Sequence, residues 1–256
     1  MSANNAWIMD MRASEQIVGA EERLVRLRAA FPGTDREQLH ESPLFLLPHV
    51  LRRIVFFDAI YRQVLDVPGV IMEFGVRYGR DMAILDGLRT VHEPLNYGRR
   101  IVGFDTFAGF LAVEPQDGGD ARAAVGELAT TDSYEAYLDR VLETREAMAP
   151  FEHVRKSEVI KGDATETLAA YLEAHPETIV AFAYFDMDVY APTKRCLELL
   201  RPHLTRGSVL GFDELNCGEF PGETIALREV LGLDRYALRR LPGIGPGLPS
   251  FLVVDR

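Results

Sequence analysis

The sequence has few cysteines, no long apolar run and no excess of positive charge. Its two cysteines, Cys196 and Cys217, are too few for a disulfide framework or a zinc site. The longest apolar stretches, such as IVAFAYF, are far shorter than the roughly 20 residues that a membrane-spanning helix requires. A net charge of −11 argues against nucleic acid as a partner, because binding to phosphates requires a basic surface.

The N-terminal segment MSANNAWIMDMRASEQ contains neither a basic region followed by an apolar core nor a small-residue cleavage site. The sequence therefore predicts a cytoplasmic protein with no membrane partner. With 256 residues, of which 47% are hydrophobic and 26% charged, its size and composition are those of a globular protein with one large domain.

Two patterns divide the chain. Residues 1–66 carry apolar residues at three- and four-residue spacing, which predicts an N-terminal helical extension and suggests a homo-oligomer interface. In residues 67–256, short β-rich segments alternate with helical ones, which predicts an α/β domain with helices on both faces of a mostly parallel sheet. The final segment, YALRRLPGIGPGLPSFLVVDR, predicts two strands joined by a turn, so that an antiparallel pair completes a seven-stranded sheet.

Carboxylates stand at the ends of five successive predicted strands. In chain order they are Glu73, Asp105, Asp163, the pair Asp186 and Asp188, and the pair Asp213 and Glu214. In open α/β sheets, ligands bind beyond the carboxyl ends of the strands, so we expect these side chains to share one site. A single acid after a strand commonly caps the next helix, and this alternative applies to Asp105, Asp163 and Asp188 taken one at a time.

The segment EFGVRYG is a glycine-rich turn between a strand and a helix. It is not the GxGxxG dinucleotide pattern, and Glu73 would repel a pyrophosphate, so a nicotinamide oxidoreductase is disfavoured. A carboxylate suits the cationic cofactor S-adenosylmethionine; Asp105 would then accept hydrogen bonds from the ribose diol and Asp163 would take the adenine amino group. The residues predicted to contact the cofactor are Glu73, Gly75, Val76, Gly79, Asp105, Thr106, Gly162, Asp163, Ala164 and Asp186.

The acids after the fourth and fifth of these strands predict a metal site. Clustered carboxylate oxygens suit Mg²⁺ or Ca²⁺, whereas zinc favours histidine or cysteine. Unpaired carboxylates that share a small space destabilise one another unless a cation or a proton lies between them. A bound metal lowers the pKa of a coordinated hydroxyl, and a carboxylate can then remove its proton. The alternative is that Asp188 caps the helix opening at Pro192–Thr193 and that Glu214 is solvated.

Residues 112–133 form a long predicted loop rich in glycine, alanine and acidic residues. Loops of this length are commonly functional or disordered, and we expect this one to close over both substrates as a lid. A second segment, PGIGPGLPS, resembles a phosphate loop but is followed by no helix, and it predicts a turn between the last strands that lines the acceptor pocket.

Four motifs, VIMEFGVRYGRD, IVGFDTFAGF, FDMDVYAPT and GFDELN…FPGET, resemble the macrocin O-methyltransferase family, and the resemblance covers about residues 68–255. It implies a class I methyltransferase fold, S-adenosylmethionine as donor, Mg²⁺ dependence and a deoxysugar hydroxyl as acceptor. Carried over by motif, Asp186 would be a metal ligand and the general base, with Asp213 and Glu214 completing the metal site. Glu214 stands where the macrolide-modifying enzymes carry a second aspartate.

The predicted function is therefore S-adenosylmethionine-dependent methylation of a sugar hydroxyl on a small-molecule glycoside, in natural-product or polysaccharide biosynthesis. Methylation of a phenol or catechol is the alternative among enzymes, because a more acidic hydroxyl needs less activation. A non-catalytic accessory protein that binds the cofactor is the alternative outside enzymes.

Overall fold

A computed structural model describes residues 15–241 and 249–255. Most of the predicted turn PGIGPGLPS, and nearly all of the N-terminal segment inspected for a secretion signal, lie outside these ranges. The chain forms two compact units that divide between Val55 and Phe56, and the predicted domain boundary at residues 66–67 stays a prediction. Within the described ranges, no helix combines the length and the apolar character needed to cross a membrane.

The first unit is helical, as the apolar spacing predicts. It contains α1 (Glu15–Ala29), α2 (Asp35–His40), a 3₁₀ turn (Ser42–Phe45) and the beginning of α3 (Pro48–Gln63). The sequence analysis missed α2. Its signal is a capping box, in which the Thr34 hydroxyl accepts a hydrogen bond from the Glu37 amide and the Glu37 carboxylate accepts one from the Thr34 amide.

The second unit is the predicted α/β domain. Its described strands are β1 (Val70–Phe74), β2 (Ile101–Asp105), β3 (Ser157–Lys161), β4 (Val180–Phe185), β5 (Leu204–Phe212) and β6 (Ser250–Val253). The helices between them are α4 (Arg80–His92), α5 (Tyr134–Glu146), α6 (Ala164–Ala174), α7 (Tyr190–Leu200) and α8 (Gly222–Val230). The strand order is β3-β2-β1-β4-β5-β6, and only β6 is antiparallel to its neighbour. The alternation of strands and helices is confirmed.

The described residues form six strands, where the sequence predicts seven. Of the two expected C-terminal strands, β6 is present, whereas the preceding segment contributes a single antiparallel bridge. At this bridge, the Arg239 and Phe251 amides donate to each other's carbonyl oxygens at 2.8 and 2.9 Å. The antiparallel closure of the sheet is therefore confirmed, and the seventh strand stays a prediction.

Apolar side chains fill both faces of the sheet. In β4, Phe182 and Tyr184 lie in one buried cluster, whereas Ala183 and Phe185 lie in the other. This alternation follows from the pleat of a strand, which directs successive side chains to opposite faces. Because both faces are covered, β4 is apolar along its whole length, as expected of a central parallel strand.

A buried arginine joins the chain segments at the amino ends of β1 and β2. The Arg99 guanidinium donates to the carbonyl oxygens of Val64, Val67 and Gly69 at 2.7–2.9 Å, and it forms an ion pair with Glu93 at 2.8 Å. Tyr61 donates a further hydrogen bond to the same carboxylate at 2.7 Å. Arg99 therefore fixes where α3 ends and where β1 begins.

Replacing Arg99 with methionine is expected to lower the free energy of unfolding by about 3–5 kcal/mol, because the largely buried Glu93 carboxylate would lose its ion-pair partner and three carbonyl groups would each lose one donor. Urea denaturation followed by circular dichroism measures this change. Arg100→Met is the matched control, since Arg100 is partly exposed and pairs with the partly exposed Glu158. Equal losses in the two variants would contradict the assigned role of Arg99.

Candidate functional site

Four phenylalanines, one from each central strand, fix the edge of the sheet where the acidic residues emerge. Phe104, Phe74, Phe185 and Phe212 are register partners on adjacent strands and stack nearly parallel, with ring centroids 4.9–5.1 Å apart. We call them the phenylalanine row. All four side chains are fully buried. The residues that follow them in the chain are Asp105, Gly75, Asp186 and Asp213, so three predicted site acids emerge at the same edge of the sheet, with Gly75 between Asp105 and Asp186.

Glu73 precedes Phe74 and therefore lies inside β1, one residue before its end. It is buried, and its register neighbours are Gly103 on β2 and Tyr184 on β4. The next residue, Gly75, has a positive φ of 91°, and a Cβ atom there would lie 1.8 Å from the carbonyl oxygen of Asp186. Glycine is therefore required where the exits of β1 and β4 touch.

The rest of the glycine-rich turn leads into α4. Val76 is buried, and Gly79 is the N-cap of α4 with a left-handed φ of 76°. A Cβ atom at Gly79 would lie 2.3 Å from Leu138 of α5, so this glycine allows the turn to pack closely on a neighbouring helix. Cofactor contact by these residues stays a prediction.

Asp105 ends β2, as predicted, and its carboxylate joins two turns. It accepts hydrogen bonds from the amides of Arg77, at 2.7 Å, and Phe107, at 2.5 Å. Burial raises the pKa of Asp105 against the lowering effect of these bonds. The bond to Phe107 is the local capping contact weighed as an alternative. The predicted contact Thr106 uses its hydroxyl in the same turn, donating to the Gly109 carbonyl at 2.8 Å.

Asp163 follows β3 and is the N-cap of α6, as the alternative reading expected. Its Oδ1 atom accepts hydrogen bonds from both the amide and the hydroxyl of Thr165 at 2.8 Å. Gly162 before it has a φ of 145°, and Ala164 after it is buried. An additional contact with adenine stays a prediction.

The acids after β4 and β5 are close enough to interact electrostatically, and a fifth acid interacts with them; we call these five residues the acid cluster. Burial and the neighbouring carboxylates raise the pKa of Glu214 well above its ordinary value. Burial and the same group of acids also raise the pKa of Glu223, which is fully buried in the first turn of α8. The members of this acid cluster are Asp186, Asp188, Asp213, Glu214 and Glu223.

Glu223 was missed by the sequence analysis, although it lies in the quoted motif FPGET. Its carboxylate accepts a hydrogen bond from the Met187 amide at 3.3 Å and one from the Glu214 amide at 3.1 Å. It therefore ties together the segments that leave β4 and β5. An acid in the first turn of a helix is common, so its position alone gave no signal of this long-range role.

Asp188 is not the N-cap residue of the following helix, which the alternative weighed for it would require. Helix α7 begins at Tyr190, with Val189 as its N-cap, which has no side-chain oxygen. Asp188 is buried and has a left-handed φ of 62°. Aspartate is one of the few residues other than glycine that adopt this conformation readily.

The acid cluster consists of side chains that can serve as oxygen ligands to a divalent cation. Carboxylate oxygens are the ligands that Mg²⁺ prefers, and the buried Glu214 Oε2 atom has no hydrogen-bond partner among the described residues. In the part of the chain that the structure describes, however, no three acidic, histidine or cysteine side chains converge as a metal-binding group. Asp213 also accepts a hydrogen bond from the Tyr184 hydroxyl at 2.7 Å. The residue types fit the ion, and binding would require their side chains to converge.

The long loop predicted as a lid is tied down at its base. Thr130 donates through its amide to the Phe107 carbonyl at 3.2 Å, while Phe110 and the segment Gly126–Glu127 exchange two backbone hydrogen bonds. We call residues 107–130 the strap loop. Its midpoint carries Asp117, a buried acid that the sequence analysis did not single out. Closure over substrates stays a prediction.

The fold and these strand ends define a class of protein. A sheet of order β3-β2-β1-β4-β5-β6 with one antiparallel edge strand, a glycine-rich turn after β1 and an acid ending β2 is the class I methyltransferase arrangement. Acids also follow β4 and β5 at the same edge. The class that fold and site define is therefore a class I methyltransferase.

Comparison with known families agrees. A family model described as "Methyltransferase domain" matches residues 72–215. The chain belongs to this methyltransferase family, and it is an S-adenosylmethionine-dependent O-methyltransferase. Comparison with curated protein sequences finds no match.

Solved structures give nearer relatives. The chain is 47% identical to CalS11, described as a calicheamicin methyltransferase, with a TM-score of 0.92 over 95% of this chain and 94% of that one. An apo structure of CalS11, described as a TDP-rhamnose 3'-O-methyltransferase of calicheamicin biosynthesis, matches at 44% identity and a TM-score of 0.84, covering 95% and 96%. The O-methyltransferase NovP shares the fold, with 17% identity, a TM-score of 0.56 and 80% of each chain covered.

Proposed function

We propose that this protein transfers the methyl group of S-adenosylmethionine to a hydroxyl of a deoxysugar carried by a nucleoside diphosphate, in the biosynthesis of a glycosylated natural product. The observation that carries the proposal is the 47% identity to CalS11 over 95% of the chain. Its description as a TDP-rhamnose 3'-O-methyltransferase names the acceptor class to test first.

The cofactor would lie across the ends of β1, β2 and β3. Asp105 retains lone pairs beyond those that accept from backbone amides, and it would accept hydrogen bonds from the ribose diol. Glu73 would favour the positive charge of the donor. Gly75, Val76, Gly79 and Thr106 would shape the turn around it, while Gly162, Asp163 and Ala164 would contact the adenine.

Asp186 would act as the general base. As the hydroxyl oxygen of the sugar attacks the methyl carbon, the carbon–sulfur bond breaks, its electron pair returns to sulfur, and the hydroxyl proton passes to the Asp186 carboxylate. The products are the methyl ether and S-adenosylhomocysteine. The neutral thioether leaves without protonation, so the protein's tasks are to align the two substrates and to remove one proton.

Asp186, Asp213 and Glu214 would hold Mg²⁺, as the oxygen donors of the acid cluster suggest. The ion, when bound, would lower the pKa of the acceptor hydroxyl. Glu223 would keep the exits of β4 and β5 together through the amides of Met187 and Glu214.

The direct test supplies the purified protein with methyl-labelled S-adenosylmethionine and one of three acceptors: TDP-rhamnose, free rhamnose or catechol. We expect label in TDP-rhamnose, with the methylated position identified by NMR. Label in catechol alone would replace the proposal with a phenol O-methyltransferase. Binding of S-adenosylhomocysteine without any transfer to a wider set of nucleotide sugars would favour a non-catalytic accessory protein.

Metal dependence gives a separate prediction. We expect treatment with EDTA to lower kcat at least about tenfold and added Mg²⁺ to restore it. The reason is that the bound ion would lower the pKa of the acceptor hydroxyl, and its removal would take that effect away. Glu214→Gln should raise the Mg²⁺ concentration required for half-maximal activity, since it removes one carboxylate ligand. Glu219→Gln, an acid in the same loop outside the cluster, is the control. Full activity in EDTA would contradict metal assistance.

A further inference from the structure

The strap loop contacts the catalytic edge of the sheet through Asp117. This residue ends a 3₁₀ turn, Pro115–Asp117, and only 1% of its surface is exposed. Its Oδ1 atom accepts a hydrogen bond from the Tyr190 amide at 2.5 Å, and its Oδ2 atom accepts one from the Glu114 amide at 2.7 Å. One carboxylate thus holds the strap loop with one oxygen and the beginning of α7 with the other.

Helix α7 needs this distant partner. The first amides of a helix have no acceptor within the helix, and the N-cap Val189 has no side-chain oxygen to offer. Asp117, 73 residues earlier in the chain, supplies both the acceptor and a negative charge at the positive end of the helix dipole. The strap loop therefore completes the structure of α7.

A third segment closes on the same point. A Cβ atom at Gly222, the first residue of α8, would lie 2.6 Å from Asp117 Oδ1, 2.6 Å from the Tyr190 amide nitrogen and 2.9 Å from the Asp188 carbonyl oxygen. Nearby, the Arg122 guanidinium of the strap loop lies 5.4 Å from the centre of the Phe220 ring. The strap loop, the exit of β4 and the beginning of α8 are packed together without space for one additional methyl group.

The link between Tyr190 and Asp186 is short and constrained. Between them lie the left-handed residue Asp188 and a tight turn in which the Val189 amide donates to the Met187 carbonyl at 2.7 Å. A displacement at one end of so short a segment is expected to move the other end. The position of the Tyr190 amide therefore affects the position of the Asp186 carboxylate.

We propose that Asp117 is a positioning residue that latches the strap loop to the exit of β4, so that ordering the strap loop and aligning Asp186 are one event. Asp117 does not touch the reacting atoms. The inference rests on the proposed function, because that function gives Asp186 its task as base and makes exclusion of water by the strap loop useful.

Four variants test the latch. Asp117→Ala removes both acceptors, whereas Asp117→Asn keeps one acceptor oxygen, for either the Tyr190 or the Glu114 amide, and replaces the other with a donor. Gly222→Ala leaves Asp117 unchanged, but its added methyl group would push Asp117 Oδ1 away from the Tyr190 amide. Asp120→Asn is the control, since Asp120 lies in the same loop and pairs only locally with Arg122.

With TDP-rhamnose and S-adenosylmethionine, we expect Asp117→Ala and Gly222→Ala to lower kcat roughly 10–100-fold, the effect of a misplacement of about 1 Å, with the KM for S-adenosylmethionine nearly unchanged. Asp117→Asn should recover part of the loss, and Asp120→Asn should match the wild type. Equal kcat in Asp117→Ala and Asp120→Asn would overturn the proposal. The proposal would also be overturned if kcat fell in Asp117→Ala and were no higher in Asp117→Asn.

Hydrogen exchange separates this proposal from the proposed function. In the wild-type protein with S-adenosylhomocysteine alone, we expect slow exchange at the Tyr190 amide and in peptides of the strap loop. In Asp117→Ala we expect both to become faster together, while β1 and β2 stay protected. If TDP-rhamnose is not methylated, the proposed acceptor class is wrong. The exchange result still tests whether Asp117 couples the strap loop to the Tyr190 amide. Exchange at Tyr190 that does not change with the strap loop would overturn this coupling.

Discussion

Asp186→Asn is expected to lower kcat for methyl transfer to TDP-rhamnose by roughly 10²–10⁴-fold, the usual contribution of a general base. The change keeps the size of the side chain and removes its ability to accept the hydroxyl proton. Binding of S-adenosylhomocysteine should persist, because Glu73, Asp105 and Asp163 belong to or follow three other strands. Steady-state kinetics and isothermal titration calorimetry on the same preparation measure both quantities.

Asp234→Asn, at an exposed aspartate beyond α8, is the control and should match the wild type in both measurements. Substantial activity in Asp186→Asn would contradict the assignment of the base. It would favour a phenolic acceptor, whose lower pKa makes a protein base less important.

Asp105→Ala is expected to weaken binding of S-adenosylhomocysteine about 100-fold or more. Hydrogen bonds to a charged group are worth about 1.5–3 kcal/mol each, and the ribose diol would lose two. The pH dependence in the wild-type protein follows from burial. Because burial raises the pKa of Asp105, its carboxylate becomes protonated at a higher pH than that of an exposed aspartate. The affinity should therefore be constant above that raised pKa and fall as the pH decreases through it.

Titration calorimetry over a pH series measures both effects. The same substitution also frees the amides of Arg77 and Phe107, so a thermal melt of the cofactor-free variant must accompany the titration. A variant that melts near the wild-type temperature and still binds with wild-type affinity would contradict contact between Asp105 and the ribose.

The helices and strands of the second unit could be predicted because their patterns are local. The apolar run in VIMEF, the alternating helices and the acids after four strands all depend on residues adjacent in sequence. The boundary at β1 was one residue short, since Glu73 lies inside the strand and Phe74 ends it. The pattern could not reveal that a buried strand between two parallel neighbours accepts a carboxylate before its last residue.

The long-range contacts could not be predicted from one sequence. Asp117 binds an amide 73 positions away, and Glu223 binds an amide 36 positions away. Both residues look like ordinary acids of a loop and of a first helical turn. The capping role of Asp163 was foreseen, because its partner is two residues away. Sequence separation thus decided which parts of the candidate site were accessible to prediction.

The phenylalanine row separates the sheet edge, where the strand register is set, from the segments that follow it. The four rings are register partners on β2, β1, β4 and β5. The distance between Glu73 and Asp105, the acids assigned to the methyl donor, therefore does not depend on the sequence of the loops that follow. The strap loop and the segment Asn216–Phe220 lie beyond the row and can vary in sequence without altering that spacing. A library that diversifies these two segments and leaves Asp117 and the row intact should therefore retain the same methyl donor.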